Sequence, residues 1–154
     1  MQLEIERKFL VSGDGWRDQA PGIRYLQGYL SADPQRVVRV RSYEQRGFLT
    51  IKEGAQGITR REFEYEIPYT EASYLLDNVC LQPLVEKTRH RITMAELAWE
   101  IDQFHGVNSG LIIAEIELPT SDTSFDLPEW IGREVTDDPR YYNANLARNP
   151  YTAW

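Results

Sequence analysis

The sequence predicts a mainly β protein of the α+β kind: an antiparallel sheet or barrel with a few helical segments. Three observations predict it. Charged and apolar residues alternate with period two in segment after segment, as in strands with one buried face. Turn-forming clusters such as SADPQ, QRG, EGAQG and FHGVNSG separate those segments. Helical spacing is confined to a few short stretches, which suits strands joined mostly by turns.

Along the chain, MQLEIERKFL places Glu4, Glu6 and Lys8 on one strand face and Ile5 on the other. GDGWRDQA (13–20) is compatible with a short helical turn. LQGYL carries Tyr29, and an aromatic in a strand belongs by default to the core. RVVRVRS (36–42) sets Arg39 and Arg41 against Val38 and Val40. FLTIK (48–52) sets Thr50 and Lys52 against Leu49 and Ile51. REFEYEI (61–67) sets Glu62, Glu64 and Glu66 against Phe63, Tyr65 and Ile67. TEASYLLDNV (70–79) reads as a helix with Thr70 as N-cap and Glu71 in the first turn. VEKTRHRI (85–92) carries Lys87, Arg89 and Arg91 in register opposite a mixed face. AWEIDQF (98–104) sets Glu100 and Asp102 against Trp99 and Ile101, and LIIAEIEL (111–118) sets Glu115 and Glu117 against Ile116 and Leu118. PEWIGREV (128–135) and PRYYNANLAR (139–148) each open with Pro, which suits a first helical turn.

A chain of 154 residues suits one domain, residues 1–154, with a real core. Its 42% hydrophobic and 27% charged residues are ordinary for a soluble globular protein. No apolar run approaches a membrane span, and no basic region precedes an apolar stretch at the N-terminus. Cys80 is the only cysteine and sits among apolar neighbours, so it reads as a core residue and excludes an internal disulfide. These features lead us to expect a cytoplasmic protein. The net charge of −7 opposes broad binding to nucleic-acid backbones. His90 and His105 lack zinc-ligand spacing, and there is no GxxxxGK[ST], GxGxxG or GxSxG motif.

The polar strand faces are rows of full charges sorted by strand. Acids stand two apart in Glu4/Glu6, Glu62/Glu64, Glu100/Asp102 and Glu115/Glu117; bases do so in Arg39/Arg41 and Lys87/Arg89, with Lys8 and Lys52 alone. Like charges on one face repel unless a counter-charge sits there. Carboxylate rows suit hard divalent cations such as Mg²⁺ and Mn²⁺. Arg and Lys rows suit phosphate. Both kinds lining one interior would bind a polyphosphate with metal; turned outward, they would be a charged surface over an apolar core.

The order of these rows resembles the CYTH family, also called triphosphate tunnel metalloenzymes. The ExExK of Glu4, Glu6 and Lys8 is followed by Arg39-Val40-Arg41, Thr50-Ile51-Lys52, Glu62-Phe63-Glu64, Lys87-Thr88-Arg89, Asp102 and Glu115-Ile116-Glu117, and by the tail GREVTDDPRYYNANLA. The resemblance implies an eight-stranded antiparallel barrel forming a tunnel, with a few helices packed outside. It implies phosphate binding by Lys8, Arg39, Arg41, Lys52, Lys87 and Arg89, with Lys8, Lys52 and Lys87 as catalytic lysines. Glu4, Glu6, Asp102, Glu115 and Glu117 become ligands of Mg²⁺ or Mn²⁺, supported by Glu62 and Glu64. Glu66, Arg91, Glu100 and Tyr29 are left without a role, and Arg7 is placed outside. The expected activity is metal-dependent hydrolysis of inorganic tripolyphosphate to pyrophosphate and phosphate. The alternatives are an adenylate cyclase, a nucleoside or thiamine triphosphatase, and a non-enzymatic polyphosphate-binding module. The expected partner is a small-molecule triphosphate, with no nucleic acid and no membrane, and with a homodimer left open.

Overall fold

The computed structural model describes residues 1–154. Its strands are β1 (Gln2–Val11), β2 (Gly22–Asp33), β3 (Arg36–Tyr43), β4 (Arg46–Glu53), β5 (Thr59–Ile67), β6 (Val85–Met94), β7 (Leu97–Phe104), β8 (Ile112–Glu117) and β9 (Ile131–Glu134). Helix α1 (Tyr69–Asn78) follows β5, and α2 (Asn143–Arg148) lies near the C-terminus. No helix is long and apolar enough to cross a membrane.

The strands run in the order β5-β4-β3-β2-β6-β7-β8-β1, and β1 pairs back onto β5, so eight antiparallel strands close a ring. Closure uses the first half of β1, with Gln2 opposite Glu62 and Glu4 opposite Arg60. Beyond Ile5 the same edge is taken up by β9, with Phe9 opposite Glu134. A closed ring leaves no long unpaired edge.

Period two decides which face goes where. The apolar outer faces of β1, β6, β7 and β8 contribute Ile5, Phe9, Ile92, Trp99, Ile101, Ala114 and Ile116 to one core, capped by Trp16 and Trp130 from the connecting loops. On the far side, α1 lays Ala72 and Leu76 over Val40, with Cys80 beside them. Cys80 is thus the buried core residue the sequence predicts. The charged faces are left to point into the ring.

Four local expectations are corrected. Residues 13–20 hold hydrogen-bonded turns, such as Arg17 N–H to Asp14 C=O, and no helix; they serve to bury Trp16. PEWIGREV supplies strand β9 where a helix was expected. Pairing with β1 overrides the Pro signal, and Gly132 allows it, since a Cβ there would lie 3.1 Å from the Leu10 carbonyl oxygen. PRYYNANLAR is divided into a 3₁₀ turn (Pro139–Tyr141) and α2, because Tyr142 between them is extended. Helix α1 starts at Tyr69 with Pro68 in the N-cap position, so Thr70 is already inside the helix and caps nothing.

Helix α1 crosses β4 where Gly47 leaves no side chain: an added Cβ would lie 2.5 Å from the Ala72 Cβ. Gly47→Ala should therefore destabilise the protein by about 1–3 kcal/mol through overpacking. In a thermal melt that is a drop of roughly 2–10 °C for a chain of this size. An unchanged melting temperature would mean that α1 does not sit on β4 in this way.

Candidate active site

The ring encloses a cavity of about 570 Å³ lined by Glu4, Glu6, Lys8, Arg39, Arg41, Lys52, Glu62, Glu64, Lys87, Arg89, Glu115 and Glu117, among others. The orientation left open by periodicity is therefore inward for every one of these predicted residues. Asp102 is also inside, fully buried behind Lys87 and Arg89 of β6.

One wall comes from β1 and β8, whose register sets Lys8 opposite Glu115 and Glu6 opposite Glu117. Lys8 Nζ donates to Glu115 Oε1 at 2.5 Å and lies 3.4 Å from Glu6. Burial alone would pull the Lys8 pKa down, but Glu115 and Glu6 outweigh it and hold the ammonium above its usual range. Burial likewise pushes Glu115 up, and Lys8, Arg89 and Lys87 together hold it well below the ordinary carboxylate range. Glu6 and Glu117 are not compensated in this way. Burial and then Glu115 raise Glu6; burial and then Glu4, Glu100 and Glu6 raise Glu117. Two carboxylates directly opposite across a strand pair repel each other.

A second wall comes from β3, β4 and β5. Lys52 Nζ lies 3.0 Å from Glu4 and 3.3 Å from Glu62, and so ties the acid rows of β1 and β5 together. Thr50 Oγ1 accepts from Arg39 Nη2 at 3.2 Å and donates to Glu64 at 2.9 Å. Arg39 and Arg41 reach Glu64 only at 3.6 and 3.5 Å, and the Nε of each is buried without a hydrogen-bond partner. Burial, with Arg39 and Arg89 nearby, lowers Arg41 to about 10. These two guanidiniums hold the least satisfied donors in the cavity.

The third wall is β6 with β7. Asp102 accepts from Arg89 through both oxygens, at 2.7 and 2.8 Å, and also lies 2.9 Å from Lys87 Nζ. Burial would raise the Asp102 pKa, but Arg89 and Lys87 hold it below its ordinary value. Burial brings Lys87 down to about 8, Asp102 opposing and Arg89 adding to the shift. Glu100 faces the cavity and accepts from Arg89 at 3.1 Å. Arg91 stands at the rim, with its side chain 65% exposed. Glu66 lies outside the cavity, paired with Arg46 at 2.6 Å. Arg7 points outward as predicted and grips Glu134 of β9 through two hydrogen bonds.

Several lining residues escape the sequence reading. Arg60 continues the inward row of Glu62 and Glu64 two residues earlier, a signal that was available. Tyr25 lines the cavity, as Tyr29 does, and Gln27 lies between them on the same face, fully buried. Asn143 carries no sequence signal: it arrives from α2, and its Oδ1 accepts from Lys87 Nζ at 3.0 Å and from Gln27 Nε2 at 3.1 Å. Gln27 Nε2 also donates to the Tyr29 hydroxyl at 3.0 Å.

The carboxylates suit a hard divalent cation: they are oxygen donors, and Glu6 and Glu117 face each other across the strand pair with Lys8 near Glu6 only. No three of them converge into a ready-made cage, because Glu4 and Glu115 are turned toward Lys52 and Lys8. Asp102 differs from the rest of the predicted metal set, since both its oxygens already serve Arg89 and Lys87.

Comparison with known proteins agrees with this arrangement. The CYTH domain model matches residues 2–148. An inorganic triphosphatase of Acetivibrio thermocellus is 50% identical over 151 residues, covering 98% of this chain and 97% of that protein. An inorganic triphosphatase of Nitrosomonas europaea is 36% identical over 150 residues, covering 94% and 96%. The crystal structure of an inorganic triphosphatase superposes with a TM-score of 0.67 at 34% identity, over 93% of this chain and 96% of that one. With the domain matched almost end to end and half the residues shared with one relative, the chain belongs to the CYTH domain family.

Proposed function

We propose that this protein is a metal-dependent inorganic triphosphatase that hydrolyses tripolyphosphate to pyrophosphate and phosphate. The observation that carries this reading is the coexistence, in one cavity, of loosely held guanidiniums on β3 and crowded carboxylates on β1 and β8, where Glu6 faces Glu117 across the strand pair. A pure anion site gains nothing from Glu6 beside Glu117, and a pure cation site gains nothing from Arg39 beside Arg41. The relatives named inorganic triphosphatase support the choice of substrate.

Arg39 and Arg41 are the first contacts for phosphate oxygens, because Glu64 holds each of them only loosely. Lys8, Lys52, Lys87 and Arg89 are held in ion pairs that phosphate oxygens of like charge can replace. Each replacement releases a carboxylate: Glu115 from Lys8, and Glu4 from Lys52. Glu4, Glu6, Glu115 and Glu117 would hold Mg²⁺ or Mn²⁺, with Glu62 and Glu64 orienting Lys52 and the β3 arginines. Asp102 is better placed to fix Arg89 and Lys87 than to bind metal. When bound, the metal would neutralise charge on substrate oxygens and supply an activated water. Lys8, Lys52 and Lys87 stabilise the charge that develops on the transferred and leaving groups. Phosphoryl transfer depends mainly on such positioning and charge.

Phosphate release from tripolyphosphate, ATP and thiamine triphosphate, each with Mg²⁺, Mn²⁺ and chelator, tests the reading. Tripolyphosphate should be the best substrate, and chelator should abolish turnover. Full activity on metal-free protein, or a preference for ATP or thiamine triphosphate, would overturn it.

The inward and outward faces of β1 give a second test. Lys8→Gln removes a charge-assisted contact worth about 1.5–3 kcal/mol, so kcat/KM should fall roughly tenfold or more in protein shown by circular dichroism to be folded. Arg7→Ala removes an exposed pair with Glu134 worth about 0–1 kcal/mol and should leave kcat/KM nearly unchanged. Equal effects would count against the assignment of Lys8.

Glu117 gives a third. Its carboxyl is raised in the folded protein, so the ionised form opposes folding above its pKa and the protonated form does not. Metal-free Glu117→Gln should therefore melt higher than the parent near pH 7, and the gain should vanish near pH 3, where both states are protonated. Turnover should fall at least about tenfold, the scale of losing a group that tunes a bound metal. A variant that melts lower at pH 7, or turns over normally, would remove Glu117 from the crowded acid pair.

A further inference from the structure

Arg39 and Arg41 are held more loosely by carboxylate than Lys8, Lys52, Lys87 and Arg89, and of the two only Arg41 meets aromatic rings. Lys8, Lys52, Lys87 and Arg89 each have a carboxylate oxygen within 3.0 Å. Arg41 has only Glu64, at 3.5 Å, and an Nε without a partner. Its guanidinium carbon instead lies 5.3 Å from the centre of the Tyr25 ring and 5.8 Å from that of Tyr43. The Arg89 guanidinium meets the same Tyr25 ring at 5.0 Å.

Tyr25 is fixed in turn. Its ring stacks on Tyr43 with centres 4.3 Å apart and planes 8° apart, and Tyr43 stacks on Phe48 at 5.2 Å and 10°. Strand register builds this pile, since β2 lies beside β3 and Arg41 of β3 stands opposite Phe48 of β4. Tyr25 is buried, and its hydroxyl makes no side-chain hydrogen bond that would explain a tyrosine here.

A ring face and a carboxylate hold a guanidinium differently. A carboxylate takes the N–H edge, as Asp102 takes that of Arg89. A ring attracts the cation through its quadrupole and consumes no donor. A guanidinium held this way keeps its donors for another anion.

We propose that Tyr25 is a positioning residue for phosphate binding: its ring, backed by Tyr43 and Phe48, holds Arg41 beside Arg89 and leaves the N–H donors of Arg41 open to substrate oxygens. The proposal deepens the triphosphatase reading and rests on it for the identity of the anion. It assigns the ring, and not the hydroxyl, the effect on binding.

Steady-state kinetics on tripolyphosphate with Tyr25→Phe and Tyr25→Leu separate the two. Tyr25→Phe should stay within about twofold of the parent in kcat and KM. Tyr25→Leu should raise KM about tenfold, the scale of a desolvated cation–π contact, with kcat changed less than about threefold. Calorimetric titration of tripolyphosphate into the same metal-free proteins should give the same order of affinity. That arm does not depend on turnover, so a parent enzyme inactive on tripolyphosphate would defeat the functional reading while the titration still decides this one. If Tyr25→Leu does not fold, mono-, di- and trifluorophenylalanine at position 25 keep the ring's shape and weaken its quadrupole, and affinity should fall stepwise. Parental behaviour of Tyr25→Leu, equal damage from Phe and Leu, a flat fluorination series, or no binding of tripolyphosphate by the parent protein would each overturn the proposal.

Discussion

Asp102 sits inside the ring with both oxygens on Arg89 and one of them also near Lys87, and the lysine and the aspartate are almost fully buried. Removing Asp102 would leave Lys87 buried without a carboxylate partner, at a cost of about 3–5 kcal/mol. The same constraint recurs around the cavity. A closed ring that turns its charged strand faces inward must give nearly every charge a counter-charge, and Lys8 with Glu115, and Lys52 with Glu4 and Glu62, follow the same rule. Apolar residues on the opposite faces pack outside the ring, and a second apolar group, with Val37, Val85, Phe104 and Ile113 on the inward faces, packs against Leu146 and Ala147 of α2.

The pairing is uneven, and chemistry is expected where it fails. On the β6/β7 wall each cation has a carboxylate, so that wall is rigid and nearly balanced. On β3 the guanidiniums have only a distant carboxylate, Glu64, and on β1 and β8 the Glu6 and Glu117 carboxylates stand above their ordinary range. An anion at the first place and a cation at the second would each relieve a charge imbalance already built into the protein. A polyphosphate with its divalent metal brings both.

Much of the site was legible because two simple patterns coincide. Period two told which residues share a face, and the charges on those faces were too sorted by strand to be an ordinary solvated surface. The resemblance to a known family then chose the inward orientation, which Glu66 and Arg91 show to be a finite one: the rows reach the rim at Arg91 and pass beyond the cavity at Glu66. Misread elements have local causes. Strand β9 was hidden because Pro128 imitates a helix start while the pairing partner, β1, lies more than a hundred residues earlier.

By itself the sequence determined the strand faces, the identity of the charged rows and the small size of the helical part, because these follow from alternation and turn chemistry within a few neighbouring residues. Tertiary structure decided which charge meets which. Asp102 became an anchor for Arg89 and Lys87 only when β7 paired with β6, Asn143 reached Lys87 only when α2 folded back on the ring, and Tyr25 came to hold Arg41 through strand register. Such contacts join residues far apart in the chain, and their distances depend on closure of the whole ring, which no local pattern encodes.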